Sequence, residues 1–477
     1  MRFRKLLCAL LSAALSLSLL MPAVLAKASP KAEIYTGVFG DIRVQILSPT
    51  LVRLEVKGPG GFEDRKTFHI VNRTDWPGAA VTETSANGTA VITCSNFEIR
   101  LPETASSLAE VSILRDGGRT WQFTGLPENK VALPDPDVAV DFFEIADTPR
   151  VVPSEAGFTP SESTDNNGWD LSNDADDLYV FMPDAETQQA ASRQLRQDFV
   201  DLTGKSEMLP LQAFGAWDSR WYAYNTETAL AQIDSYHNRN LPLDMLVIDT
   251  DWRDSSGGTG YNINTTLFPD MSEFINLAHR KGVGLMFNDH PEPTTTNGVS
   301  NNVLNADEIN FRFSNLTNIL KLGVDAWWYD RNWWTTIQPI EGFTHEVIGA
   351  AVYADAFHSV YPNRRLLMMS NIDGIYNGAF NGAANIAAHR YSVEWTGDNE
   401  EHQGTILREI FNMLKRGTDA AIPYTSADLC AHQTQLDSMT RRSTSAGFSS
   451  ACSPPSSART SPTVRLAACP GITETMR

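Results

Sequence analysis

Gly323-Val324-Asp325-Ala326-Trp327-Trp328-Tyr329-Asp330-Arg331-Asn332-Trp333 is the stretch on which the fold turns. Val324 to Tyr329 is apolar and aromatic, the length of a buried strand and too short for a core helix. It ends on a carboxylate, and four tryptophans lie between positions 327 and 334. A second segment, Arg390-Tyr391-Ser392-Val393-Glu394-Trp395-Thr396-Gly397-Asp398-Asn399, has the same plan: a short strand-like run, an aromatic, then an aspartate. In a barrel of parallel strands, catalytic groups stand where the strands end. Two strand-terminal aspartates in aromatic settings suit glycoside cleavage, one as nucleophile and one as acid/base.

Working outward, the chain after Pro210 alternates strand-like and helical texture. The candidate strands are Ala213–Trp217, Met245–Asp249, Val283–Asn288, Ala326–Asp330, Leu366–Ser370, Ser392–Trp395 and Ala420–Tyr424. Amphipathic segments such as Glu227–His237, Met271–Lys281 and Thr405–Lys415 separate them. Alternation of this kind implies parallel strands with crossover helices, and seven strands in about 215 residues point to a (β/α)8 TIM-type barrel. Before it, from Ala32 to Arg100 and on to Tyr179–Met182, short runs alternate with period two between Pro-Gly and Asn-Gly turns, the pattern of an antiparallel β-sandwich. The period turns helical at Ala185–Leu202. The expected domains are therefore a signal peptide at 1–26, a β-sandwich at 27–201, and a catalytic barrel at 202–440 with strands 1–7, strand 8 missing. An aberrant Ser/Thr-rich tail follows at 441–477.

Charge and composition exclude several classes. A net charge of −19 leaves no basic surface for nucleic acid. Residues 1–26 carry Arg2, Arg4 and Lys5, then an apolar run from Leu6 to Leu20 and small residues before Ala26, so cleavage is expected there. The mature chain is expected to be secreted or periplasmic, with no stable membrane insertion once the signal is removed. Cys94, Cys430, Cys452 and Cys469 show no metal-ligand spacing, so no metal site is expected.

From Leu202 to Cys430 the motifs resemble glycoside hydrolase family 31, the α-glucosidase and α-xylosidase family. The resemblance begins with Leu202-Thr203-Gly204-Lys205, Phe214-Gly215-Ala216-Trp217 and Arg220-Trp221-Tyr222. It continues through Leu241-Pro242-Leu243-Asp244, Val247-Ile248-Asp249-Thr250-Asp251-Trp252, Phe268-Pro269-Asp270 and His279-Arg280-Lys281-Gly282-Val283. It closes with Gly323-Val324-Asp325, Asp330, Arg390-Tyr391, Trp395-Thr396-Gly397-Asp398-Asn399 and Ile422–Cys430. Each motif is weak alone; their order is what makes the likeness specific. It implies a retaining, exo-acting α-glycosidase without metal or organic cofactor, acting on an oligosaccharide or glycoconjugate. An α-transglycosylase or a non-catalytic carbohydrate-binding relative are the alternatives. Asp330 falls at the nucleophile position and Asp398 at the acid/base position.

Each candidate has a structural competitor. Asp330 and Asp398 would otherwise cap turns. Asp249 and Asp251 end the second strand, where the family lines its sugar pocket, and an internal salt bridge is the alternative for either. His290 ends the third strand and reads as pocket wall rather than metal ligand. Trp217, Trp252, Trp328 and Trp395 are core by default, and their strand-end positions add sugar stacking; Arg390 belongs to the same expected binding set. Two departures from the family bear on sugar choice. Arg331-Asn332-Trp333 follows the nucleophile where Met-Asn-Glu is usual, and Ser370-Asn371 stands where Ser-Arg is common. Arg331 and Asn371 thus point away from plain glucose or xylose, toward a sugar that differs at C2 or C4. Residues 441–477, with five arginines against one glutamate and eight serines, match nothing the family has there, and a frameshift or truncation is the expected cause.

Overall fold

The computed structural model describes residues 33–153, 169–170, 172–254, 260–291, 295–296, 299–300, 306–330, 345–370, 383–391, 393–397 and 403–427. The expected signal peptide at 1–26, the tail at 441–477, Arg331, Asn371 and Asp398 lie outside these described residues. Among the described residues no helix is long and apolar enough to cross a membrane.

Seven strands lie side by side in chain order. They are β1 (Trp217–Asp218), β2 (Met245–Ile248), β3 (Gly284–Asp289), β4 (Ala326–Tyr329), β5 (Met368–Ser370), β6 (Val393–Trp395) and β7 (Thr425–Ser426). Every neighbouring pair is parallel. A doubly wound open sheet reverses its strand order at a switch point; this sheet never does, so it winds one way, as a barrel does. Phe214 before β1 and Tyr424 before β7 stand with ring centroids 6.0 Å apart, so its two edges converge.

Helices α1 (Thr226–Asn238), α2 (Met271–Arg280), α3 (Ala306–Leu320), α4 (His345–Val360) and α5 (Gln403–Asp419) occupy the connections. The α2 segment illustrates why they form. The Asp270 side chain accepts the Glu273 N–H as N-cap. Met271, Phe274, Ile275 and Ala278 then bury one face at helical spacing, each large side chain worth roughly 1.5–3 kcal/mol. Gly282, at φ 78°, lets the chain turn into β3.

Strand parity divides the barrel. Met245, Val247, Met286, Ala326, Trp328, Leu367, Met369 and Trp395 form the interior cluster. Their neighbours Leu246, Ile248, Leu285, Phe287, Trp327, Tyr329 and Met368 face outward into the core under the helices. By the same alternation Asn288 and Asp330 face inward at the carboxyl-terminal ends of β3 and β4.

Two expected strands are corrected. The first was placed at Ala213–Trp217, but Leu211–Phe214 is a 3-10 turn and β1 begins at Trp217. Asp244 is the reason: its carboxylate takes the Ala216 N–H at 2.7 Å and crosses Gly215 so closely that a Cβ there would lie 2.2 Å from it. The last was placed at Ala420–Tyr424 and lies at Thr425–Ser426, because α5 continues to Asp419 and Ala421 adopts φ 55°.

The preceding part of the chain is a sandwich of two five-stranded antiparallel sheets. One holds Tyr35–Phe39, Ile42–Ser48, Leu51–Val56, Asp177–Phe181 and Phe143–Ala146; the other holds Thr82–Ala86, Thr89–Thr93, Phe97–Pro102, Ser112–Arg115 and Arg119–Gln122. Ile42, Val44, Ile46, Val52, Ile92, Ile99 and Ile113 fill the space between them. The first sheet is also covered on its other face. Leu47, Leu51 and Phe181 share a core there with Leu195, Phe199 and Leu202 of the helix Gln188–Thr203 and with the barrel. The polar residues of that face are therefore buried, and they form an ion network. Arg53 donates to both oxygens of Asp177 at 2.8 and 2.9 Å, Arg73 reaches Asp177 at 2.6 Å, and Arg43 reaches Glu55 at 2.7 Å.

Candidate active site

Asp330 follows the last residue of β4 and is 6% exposed. Trp328, two residues earlier on the same face, packs edge-on against Trp395 of β6, with ring centroids 4.9 Å apart and planes at 85°. These two rings, both buried, make the floor beneath the carboxylate. Asn288 donates its Nδ2 to Asp330 Oδ2 at 3.1 Å, and His290 Nε2 lies 2.7 Å from the same oxygen. An ionised carboxylate can only accept, so Nε2 carries the proton. Asp330 Oδ1 and Asn288 Oδ1 are buried and have no partner among the described residues.

Asp249 closes the opposite side at the end of β2 and is 7% exposed. Its Oδ1 accepts the Thr250 N–H at 2.7 Å. Burial pushes its carboxyl up to about 6, with the Asp330 charge adding to the rise. His290 is raised as well: burial works against its charged form, but the hydrogen bond to Asp330 and the charges of Asp330 and Asp249 outweigh that. Two buried acids and an imidazole thus meet at the end of an apolar barrel. Their unfilled acceptors suit hydroxyl donors, and the arrangement suits a ligand rich in them.

The barrel itself matches a family model described as "Glycosyl hydrolases family 31 TIM-barrel domain" over residues 206–309. Over that part of the barrel the chain is similar to glycoside hydrolase family 31. The proteins it resembles are distant. An alpha-xylosidase of Saccharolobus solfataricus is 22% identical over 253 residues, which is 48% of this chain and 34% of the relative. A 1,6-alpha-glucosyltransferase of Sporosarcina globispora is 29% identical over 114 residues, 23% of this chain and 9% of that protein. This chain therefore matches about a third or less of these relatives' length. Among solved structures, a family 31 alpha-xylosidase from a soil metagenome, complexed with xylose, superposes with a TM-score of 0.53 at 14% identity, covering 85% of this chain and 72% of the other. At that identity the superposition shows the shared fold.

Within this barrel the expected site residues separate cleanly. Asp330, His290 and Asp249 come together, while Asp251 lies on the short 3-10 turn Thr250–Trp252 beyond β2. Trp328 and Trp395 are interior floor, without an open face for sugar stacking. Three expectations are corrected. Trp252 is fully buried on the helix side, stacked on Phe287 at 5.3 Å, with its indole N–H given to the Asn288 carbonyl at 2.7 Å. Trp217 pairs with Met245 at the start of β2, the end of the strands away from Asp330, and gives its N–H to Gln212 at 2.8 Å. Arg390 precedes β6, donates to the Phe68 carbonyl and lies 5.4 Å from the Phe68 ring, so it joins the barrel to the sandwich.

Some participants were not singled out beforehand. Asn288 shares the inward face of β3 with Met286, and counting by twos from Met286 would have found it. Arg253 gives one nitrogen to Asp289 at 2.9 Å and another to the His290 carbonyl at 3.0 Å; nothing in its local sequence marks that reach. Trp221, in the connection that follows the carboxyl-terminal end of β1, is 78% exposed.

Proposed function

We propose that the chain is a retaining, exo-acting α-glycosidase that cleaves the non-reducing end of an oligosaccharide or glycoconjugate. Asp330 is its nucleophile and Asp398 its acid/base. The observation that carries this reading is the state of Asp330: inward at a strand end, buried, one oxygen held by two donors and the other left without a partner. That is the posture of a carboxylate that must attack an anomeric carbon. The leaving oxygen takes its proton from Asp398, and water then hydrolyses the glycosyl ester with Asp398 acting as base. Asp249, with its carboxyl raised to about 6, donates to or accepts from a sugar hydroxyl in the same pocket. Export of the mature chain is part of the proposal, supported by the charged-then-apolar start of the sequence.

Transfer to a second sugar instead of water is the second reading, favoured by the partial likeness to a 1,6-alpha-glucosyltransferase. Product analysis with and without an acceptor sugar separates the two. The central test uses a panel of aryl α-glycosides with azide present. Asp398→Ala still forms its β-linked glycosyl ester, so azide attack should give the α-glycosyl azide. Asp330→Ala forms no ester, and direct attack should give the β-azide. The reverse pattern would reject the assigned roles.

A further inference from the structure

A carboxylate nucleophile has two interchangeable oxygens, and rotation about its last torsion is soft. Something must therefore choose the one that attacks. Here both donors, Asn288 Nδ2 at 3.1 Å and His290 Nε2 at 2.7 Å, converge on Oδ2. They come from one face of one strand, two residues apart.

That strand end is fastened at three successive residues. Trp252 donates to the Asn288 carbonyl at 2.7 Å. Arg253 pairs with the Asp289 carboxylate at 2.9 Å and donates to the His290 carbonyl at 3.0 Å. The fully buried Asp289 also accepts from the Tyr261 and Tyr353 hydroxyls, and Arg312 donates to Tyr261 at 2.8 Å and pairs with Glu308 at 3.0 Å. Asp289 faces away from the site, so this network serves no substrate. Its geometric effect is to hold the backbone beneath the imidazole.

We propose that His290 is the positioning residue of the nucleophile: with Asn288 it pins Oδ2 of Asp330, so that Oδ1 is the atom that attacks. The charged groups that face His290 are Asp330 from β4, Asp249 from β2 and Arg253 from behind. The two acids favour the cation, and Arg253 opposes it. Above its own titration the neutral ring still donates through Nε2, so orientation survives and only the charge is lost.

The inference rests on Asp330 being the nucleophile, and the test keeps the two apart. The full chain is treated with the cyclitol epoxide matching the sugar that the aryl-glycoside panel ranks first. Oδ1 forms the ester bond, the epoxide C–O bond breaks, and the freed oxygen takes a proton. Label is located by peptide mass and its rate followed against pH. Wild type should esterify Asp330. In His290→Gln the pH below which labelling stops should rise by about one unit or more, the usual effect of losing an opposite charge at contact distance. An unchanged midpoint overturns the role of His290, while absence of label on Asp330 in wild type rejects the nucleophile itself. A second readout needs no His290 variant. The imidazole titration followed by NMR should fall by about one unit in Asp330→Asn, and an unmoved titration overturns the pairing.

Discussion

Asp249→Asn should make the barrel more stable at neutral pH while lowering activity. The native carboxyl is lifted from an ordinary 3.8 to about 6, first by burial and then by Asp330 and Asp251. At 1.36 kcal/mol per pH unit that rise is about 3 kcal/mol. The sign follows from linkage: a group that binds its proton more tightly when folded contributes fully below the unfolded value and loses the contribution as pH rises through about 6. Asparagine cannot ionise, so it keeps what the carboxylate loses. Its Oδ1 can still accept the Thr250 N–H that Asp249 now takes at 2.7 Å. The two proteins should match near pH 4 and diverge by about 2–3 kcal/mol above pH 7, or roughly 5–10 °C in the barrel's transition. Thermal unfolding at several pH values measures this. A difference independent of pH, or a variant less stable at pH 7, would refute the reasoning.

Two further perturbations probe other parts of the molecule. Arg53→Ala removes one cation from the buried carboxylates of Asp177 and Glu55, both 0% exposed, leaving Asp177 to Arg73 and Glu55 to Arg43 and Arg150, and should cost about 3–5 kcal/mol in denaturant unfolding; a loss below about 1 kcal/mol would show the network to be dispensable. Trp221→Ala removes an exposed ring and should change stability by less than about 0.5 kcal/mol. It should raise KM about tenfold on oligosaccharides, equivalent to about 1.4 kcal/mol of stacking, yet leave aryl glycosides unaffected, and equal effects on both would rule out a sugar platform there.

Much of the barrel was legible because its strands are uniformly apolar and its helices amphipathic, two periods that differ sharply along a chain. The endpoints were less legible. Asp244 reaches across 28 residues to pin the approach to β1, and Ala421 bends the approach to β7 through a positive φ. The alternating strands near the start also announced their sandwich, but alternation alone leaves the polar face to solvent. Here that face, carrying Arg43, Gln45, Arg53 and Glu55, is buried.

The same limit governs the site. Aspartate at a strand end is a local fact, and on it Asp330 and Asp249 were expected where the structure places them, at the ends of β4 and β2. Which acids face the ligand is a matter of strand parity combined with what packs behind. Asp289 lies between two inward residues yet turns outward to Arg253, Glu394 turns outward to Arg416 at 2.7 Å, and Asp325 lies at the foot of β4 against His279 at 2.6 Å. Trp252 and Trp328 carry the same ring, but one stacks under the helices and the other floors the barrel. Residue type and order determined the barrel and the carboxylate that ends its fourth strand, because those depend on short-range pattern. Pairing to His290, the choice of free oxygen and the network that fastens β3 were decided only in three dimensions, because the partners of Asp330 and Asp289 are 28 to 64 residues away in the chain and meet only when the sheet curls.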